Sequence, residues 1–242
     1  MTPHKYREVV YYTTNEVKEH NAAHDCWVSW LGNVYNLTPL IEKHRDEVSI
    51  IPILQAAGQD ISHWFDEKSG ELKSHIHREL GSRVKTTPFG KVIDLPPDYP
   101  TTDYCTKRES KPWWKEADKY YIGKLTAKMR KIKVLNVLTS QETILEVCSE
   151  ENFFAIQDRY LKFNCHAKAY VWKRLGHLVD MSKSLQENDI PDETELYQKF
   201  GLDSDELMPV LHVYFTDDLS TDPLEFNNTV KQEERITEPI PV

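Results

Sequence analysis

Apolar positions in this chain fall into two patterned blocks with a proline-bearing stretch between them. In the first block, from about Val9 to Ile93, Tyr12–Asn21 reads as a capped helix and His24–Trp30 as a strand. Leu31-Gly32-Asn33 then reads as a hairpin turn and Val34–Leu37 as the returning strand. In the second block, from about Lys131 to Phe215, Lys131–Leu138 is β-branched and partly alternating, Thr139–Glu142 reads as a turn, and Thr143–Val147 as a second strand. Ser149 is the expected N-cap of a helix opened by Glu150 and Glu151, which suit its positive end. Phe153, Ile156, Tyr160 and Phe163 then recur at helical spacing. Ala169–Lys173 predicts a third strand, Leu175-Gly176-His177 a tight turn, and Val210–Phe215 a closing strand.

This pattern predicts a first module over 9–93, a proline-containing linker over 94–129, a second module over 130–216 and an acidic tail over 217–242. Pro96, Pro97, Pro100 and Pro112 restrict φ and remove backbone donors, so the linker is expected to be extended. Its Trp113-Trp114 pair is too apolar to be left in water and is expected to dock on one of the modules. The tail, with Asp217, Asp218, Asp222, Glu225, Glu233, Glu234 and Glu238, lacks the apolar residues to close a core.

Composition narrows the function. A net charge of −9 disfavours nucleic acid and anionic lipid as partners, because both demand an excess of Lys and Arg. No segment approaches the roughly 18 consecutive apolar residues of a membrane span. The opening Met1–Arg7 lacks the apolar centre of a signal peptide, so a cytoplasmic protein is expected. Cys26, Cys105, Cys148 and Cys165 form no C-x-x-C pair and are expected to be free thiols. No glycine-rich phosphate loop, G-x-S-x-G elbow or H-E-x-x-H pair occurs, so no enzyme activity is expected.

His20-Asn21, Asp25-Cys26-Trp27-Val28, Gly32, Val34–Thr38, His44, Ala57-Gly58-Gln59-Asp60 and Phe65 follow one another in an order that resembles the cytochrome b5 family over about a third of the chain. The resemblance implies a haem-binding fold in which two histidines ligate the iron of haem b from opposite sides, a coordination suited to electron transfer. His44 falls at the first ligand's place, but Arg45-Asp46-Glu47 replaces the family's Pro-Gly-Gly, removing the turn-shaping residues. The family's second histidine position falls on Gly70, five residues after Phe65. The nearest replacements are His75 and His77, with His75 preferred, while His63 sits among residues that read as core. The expected cofactor-binding and iron-ligating pair is therefore His44 and His75. The alternative for each is a surface or hydrogen-bonded histidine with no iron, since a fold does not guarantee its usual site.

The second block resembles ubiquitin in Leu138-Thr139, Thr143–Val147, Val171–Gly176, Leu185–Ile190 and Leu211-His212-Val213. This implies a ubiquitin-like β-grasp fold used as a docking surface, because the chain's Ile240-Pro241-Val242 end differs from a conjugating Gly-Gly. Val171 and Trp172 fall where such folds present a recognition patch, although neighbours on a strand face opposite sides and one of them is expected in the core. The fold class is thus α+β, a cytochrome b5-like haem-binding fold followed by a ubiquitin-like β-grasp domain. The order of the modules, with Gly58–Asp66, Lys111–Trp114 and Leu138–Glu142, resembles a family of ciliary proteins. That resemblance implies a component of the cilium or flagellum axoneme, radial spoke proteins as partners, and haem-based redox sensing in motility. The alternatives are a scaffold that has lost haem and a soluble electron-transfer haemoprotein.

Overall fold

The computed structural model describes residues 9–79, 81, 83–85, 87–95, 111–203 and 207–215. The predicted tail over 217–242 lies outside the described residues, as do Pro96, Pro97, Pro100 and Cys105 of the predicted linker. The chain divides into two compact units, residues up to 130 with 148–151, and residues 131–147 with 152 onward.

The first unit opens with β1 (Tyr11–Tyr12) and α1 (Thr14–Glu19). Thr13 caps α1: its hydroxyl accepts from the Glu16 N–H at 3.1 Å, and the Glu16 carboxylate accepts from the Thr13 N–H at 2.9 Å. Two amide donors at the helix start are thereby satisfied reciprocally. Next come β2 (Asn21–Ala22), β3 (Asp25–Trp30) and β4 (Asn33–Asn36), with the β3–β4 hairpin turning at Leu31 and Gly32, both in left-handed conformation. α2 (Thr38–Lys43) and α3 (Ile51–Gln55) follow, then a two-stranded ribbon of β5 (Ser74–Ile76) and β6 (Arg83–Lys85).

The unit's main sheet is completed by β7 (Tyr121–Leu125), in the order β1-β7-β4-β3-β2. β7 runs parallel to β1 and antiparallel to β4. Gly123 permits that close approach, because a Cβ there would lie 2.4 Å from the Val10 carbonyl oxygen and 2.7 Å from the Tyr12 ring. The core is aromatic: Trp30 stacks on Tyr35 with centroids 3.4 Å apart, and Phe65 and Trp113 pack on the same indole at 5.5 and 5.6 Å. Trp113 and Trp114 are both buried in this core. The predicted boundary at 93 and the linker over 94–129 therefore need correction. The described part from Lys111 onward belongs to the first unit, because its two indoles fill that interior and its following strand hydrogen-bonds into that sheet.

The second unit is more regular. β8 (Met129–Asn136), β9 (Gln141–Cys148), α4 (Phe153–Tyr160), β10 (Tyr170–Arg174), β11 (His177–Leu178), α5 (Thr194–Lys199) and β12 (Val210–Phe215) follow in order. The sheet runs β11-β10-β12-β8-β9, with β12 parallel to β8 and antiparallel to β10. α4 places Phe153, Ile156 and Tyr160 in a core with Ile132, Val134, Leu145, Trp172, Leu211 and Val213. Trp172 takes Phe153 and Tyr160 edge-on at 6.2 and 5.7 Å, so it is the core member of the Val171–Trp172 pair.

Two expectations for α4 are corrected. Its N-cap is Asn152, whose side chain accepts from the Ala155 N–H at 3.0 Å; Ser149 instead donates its hydroxyl to the Lys128 carbonyl. Phe163 lies beyond the helix and is exposed. Glu150 accepts from Thr126 and from the Ala127 N–H, which draws it away from the helix start.

Candidate functional site

His44 lies at the C-terminal end of α2, with its N–H on the Leu40 and Ile41 carbonyls at 3.2 Å. Its side chain is only 12% exposed. The chain then turns tightly: the Glu47 N–H donates to the His44 carbonyl at 3.0 Å, and the Glu47 Oε1 meets His44 Nδ1 at 2.8 Å. Ser49 Oγ donates to the other Glu47 oxygen at 3.2 Å. With Nδ1 engaged by a carboxylate, the ring nitrogen left to bind a metal is Nε2, which has no hydrogen-bond partner among the described residues.

His75 is the middle residue of β5, paired with Val84 of β6, and is exposed. Neither of its ring nitrogens has a hydrogen-bond partner among the described residues. The excursion that delivers it is a tight loop: Gly70 N–H donates to the Asp66 carbonyl at 2.8 Å and Asp66 N–H to the Glu71 carbonyl at 2.9 Å. Leu72 then returns to the core beside Phe65. The eight residues from 66 to 73 are thus taken up by a fold-back, which moves the histidine away from the position of Gly70. His77 differs from His75, since its Nδ1 accepts the Glu79 N–H at 3.3 Å within its own turn. His63 is exposed and sets its ring edge-on to Trp64.

A two-stranded ribbon has little stability of its own. This one is tied down at Glu71, which pairs with Lys85 of β6 and with Lys115 at 2.7 Å, and accepts from the Trp114 indole N–H at 3.4 Å. Hydrogen bonds from Lys115 and then Lys85 draw the Glu71 carboxyl down to about 2. Lys85 also sits 5.4 Å above the Trp114 ring.

Exposed apolar residues follow His44 in the chain, Val48 at 79% and Ile51; Ile76, 68% exposed, follows His75 on its strand and faces the other side of it. A porphyrin supplies four of an iron's six ligands and an apolar face, leaving two positions for the protein. The residues present fit that need: a largely buried imidazole with Nε2 unengaged, exposed apolar residues Val48 and Ile51 shortly after it in the chain, and a second unengaged imidazole on another element. Cys26 adds nothing to this chemistry, because burial and the nearby Asp25 push its thiol up to about 12, which keeps it protonated and inert. Cys26 and Cys165 are free thiols. Glu47 and Glu71 are not legible as functional residues in the sequence, because each depends on a side-chain contact that no motif spacing signals.

The fold and these residues define a cytochrome b5-like haem/steroid-binding domain, and that family matches residues 13–126. The match extends past the predicted boundary at 93 to include Trp113, Trp114 and β7. The chain belongs to the cytochrome b5 domain-containing protein 1 family. It is 44% identical over 210 residues to the Xenopus laevis protein of that name, covering 87% of this chain and 96% of the relative. It is 41% identical over 216 residues to the human one, covering 89% and 94%. Cytochrome b5 isoform B of Arabidopsis thaliana is 34% identical over 98 residues, covering 38% of this chain and 70% of the relative. Among the described residues no helix is long and apolar enough to cross a membrane.

Proposed function

We propose that the first unit carries haem b, ligated by His44 and His75, and that the protein is a non-catalytic assembly component that senses or relays electrons. The observation that carries this reading is the His44 imidazole, nine-tenths covered, with Nδ1 held by Glu47 and Nε2 left for a metal. Between the two ligand classes of its domain family, haem and steroid, a pair of unengaged imidazoles favours haem, since a sterol offers no metal for them. When bound, the haem supplies a one-electron iron couple. His44 and His75 would hold the group, and with both imidazoles engaged the iron would have no open position for oxygen chemistry.

The second unit is proposed to be a ubiquitin-like β-grasp domain acting as a docking surface. Its strand order β11-β10-β12-β8-β9, with β8 and β12 parallel and α4 packed into the core with their apolar residues, supports that reading. We also propose, from the sequence resemblance alone, a location in the axoneme of cilia or flagella with radial spoke proteins as partners.

The reduced-minus-oxidised absorbance of purified protein supplied with haem tests the cofactor reading. The expected result is a sharp Soret band with resolved ferrous bands, lost in a His44→Ala, His75→Ala double variant. A colourless protein contradicts it and leaves a haem-free scaffold; a haem spectrum unmoved by both changes contradicts His44 and His75 as its ligands.

A further inference from the structure

The turn after α2 carries a feature that its replaced glycines conceal. Resting on the haem reading above, we infer that Glu47 is a positioning residue for His44: it fixes the imidazole tautomer that presents Nε2 to iron and lowers the reduction potential of the bound haem.

The Nδ1–Oε1 separation of 2.8 Å is that of a full hydrogen bond, and it closes a three-residue span already fixed by the Glu47 N–H to His44 carbonyl bond. Ser49 Oγ donates to Oε2 from the far side of the carboxylate, while Oε1 meets the imidazole. The bond is set against a ring whose side chain is 12% exposed, so water competes weakly on the histidine side.

The chemistry follows from charge. An imidazole N–H donating to a carboxylate makes a charge-assisted bond, stronger than one to a neutral carbonyl. It draws the Nδ1 proton outward and leaves Nε2 a better electron donor to a metal. Greater axial donation stabilises ferric over ferrous iron, and axial ligation and the hydrogen bonds around it are what set a haem's potential. An Arg45-Asp46-Glu47 turn therefore replaces a flexible glycine turn with one that has a fixed anionic acceptor.

Three full-length proteins distinguish this role from simple turn-capping: wild type, Glu47→Ala and Glu47→Gln. The first readout is the tautomer of His44 in protein without haem, from imidazole nitrogen chemical shifts. Nδ1–H is expected to dominate in wild type and in Glu47→Gln, whose amide oxygen still accepts, and to give way to Nε2–H in Glu47→Ala. The second readout is the couple in which ferric iron takes one electron from a mediator dye to become ferrous. Both variants lose the charge, so both should favour the ferrous form by at least about tenfold, or about 59 mV for one electron. A Glu47→Gln protein that binds haem with the wild-type potential overturns the inference and leaves the haem reading standing. Failure of wild-type protein to take up haem overturns both.

Discussion

The two units solve the same problem with different materials. The second closes its core with a regular sheet and one amphipathic helix, and its buried residues alternate along strands as in β8. The first has short strands, helices of five or six residues and an interior dominated by stacked rings: Trp30, Tyr35, Phe65 and Trp113. Both candidate iron ligands lie on its irregular parts, one at a helix end and one on an exposed ribbon. A regular sheet satisfies its backbone internally and is well suited to docking. A fold built from short elements leaves turns and ribbons free to present imidazoles.

Removing one central ring from each unit separates them most sharply. Trp113→Ala should destabilise the first unit by about 3–5 kcal/mol and Trp172→Ala the second by a similar amount. Each should lower one thermal transition while sparing the other, read by calorimetry. A single transition shifted equally by either change would show that the units do not unfold independently.

A smaller effect is expected at Gly123. An added methyl group meets the Val10 carbonyl backbone, which cannot swing aside as a side chain can. Gly123→Ala should cost about 1–3 kcal/mol, and amide exchange should accelerate in β1 and β7 while β8–β12 are unaffected.

The smallest effect concerns acid. The Glu71 carboxyl is held at about 2, below its ordinary 4.5, so its ion pairs contribute fully above pH 4.5 and are lost as pH falls toward 2. A third of its side chain is exposed, so solvent screening reduces the contribution to about 1 kcal/mol. Glu71→Gln should flatten the acid dependence of the first unit's stability over that window, measured by denaturant titration at several pH values. An unchanged slope would mean that the ribbon is anchored elsewhere.

What could be read from the residues follows the same division. β12 lies at the predicted Val210–Phe215, and β8–β10 lie within about two residues of their predicted bounds, because alternating burial leaves a period-two trace. The N-cap of α4 was misplaced because Ser149 and Asn152 are both capping residues, and only the contacts of Glu150 with Thr126 and Ala127 show which one starts the helix. The first unit's end was hidden for a different reason. β7 is separated from its partner β4 by most of the unit, and prolines in the intervening segment signal a linker whatever follows them. His44 is singled out as a candidate by its motif position. Glu47 is not, since its role depends on a side-chain bond back to the imidazole three residues earlier.

The account's central claim, two imidazoles from separate elements on one iron, is tested most directly by electron paramagnetic resonance of the ferric protein. Wild type is predicted to be low-spin and six-coordinate, and His75→Ala to convert to high-spin while retaining haem on His44. A low-spin signal that survives in His75→Ala, or a wild-type protein that is high-spin, would contradict it.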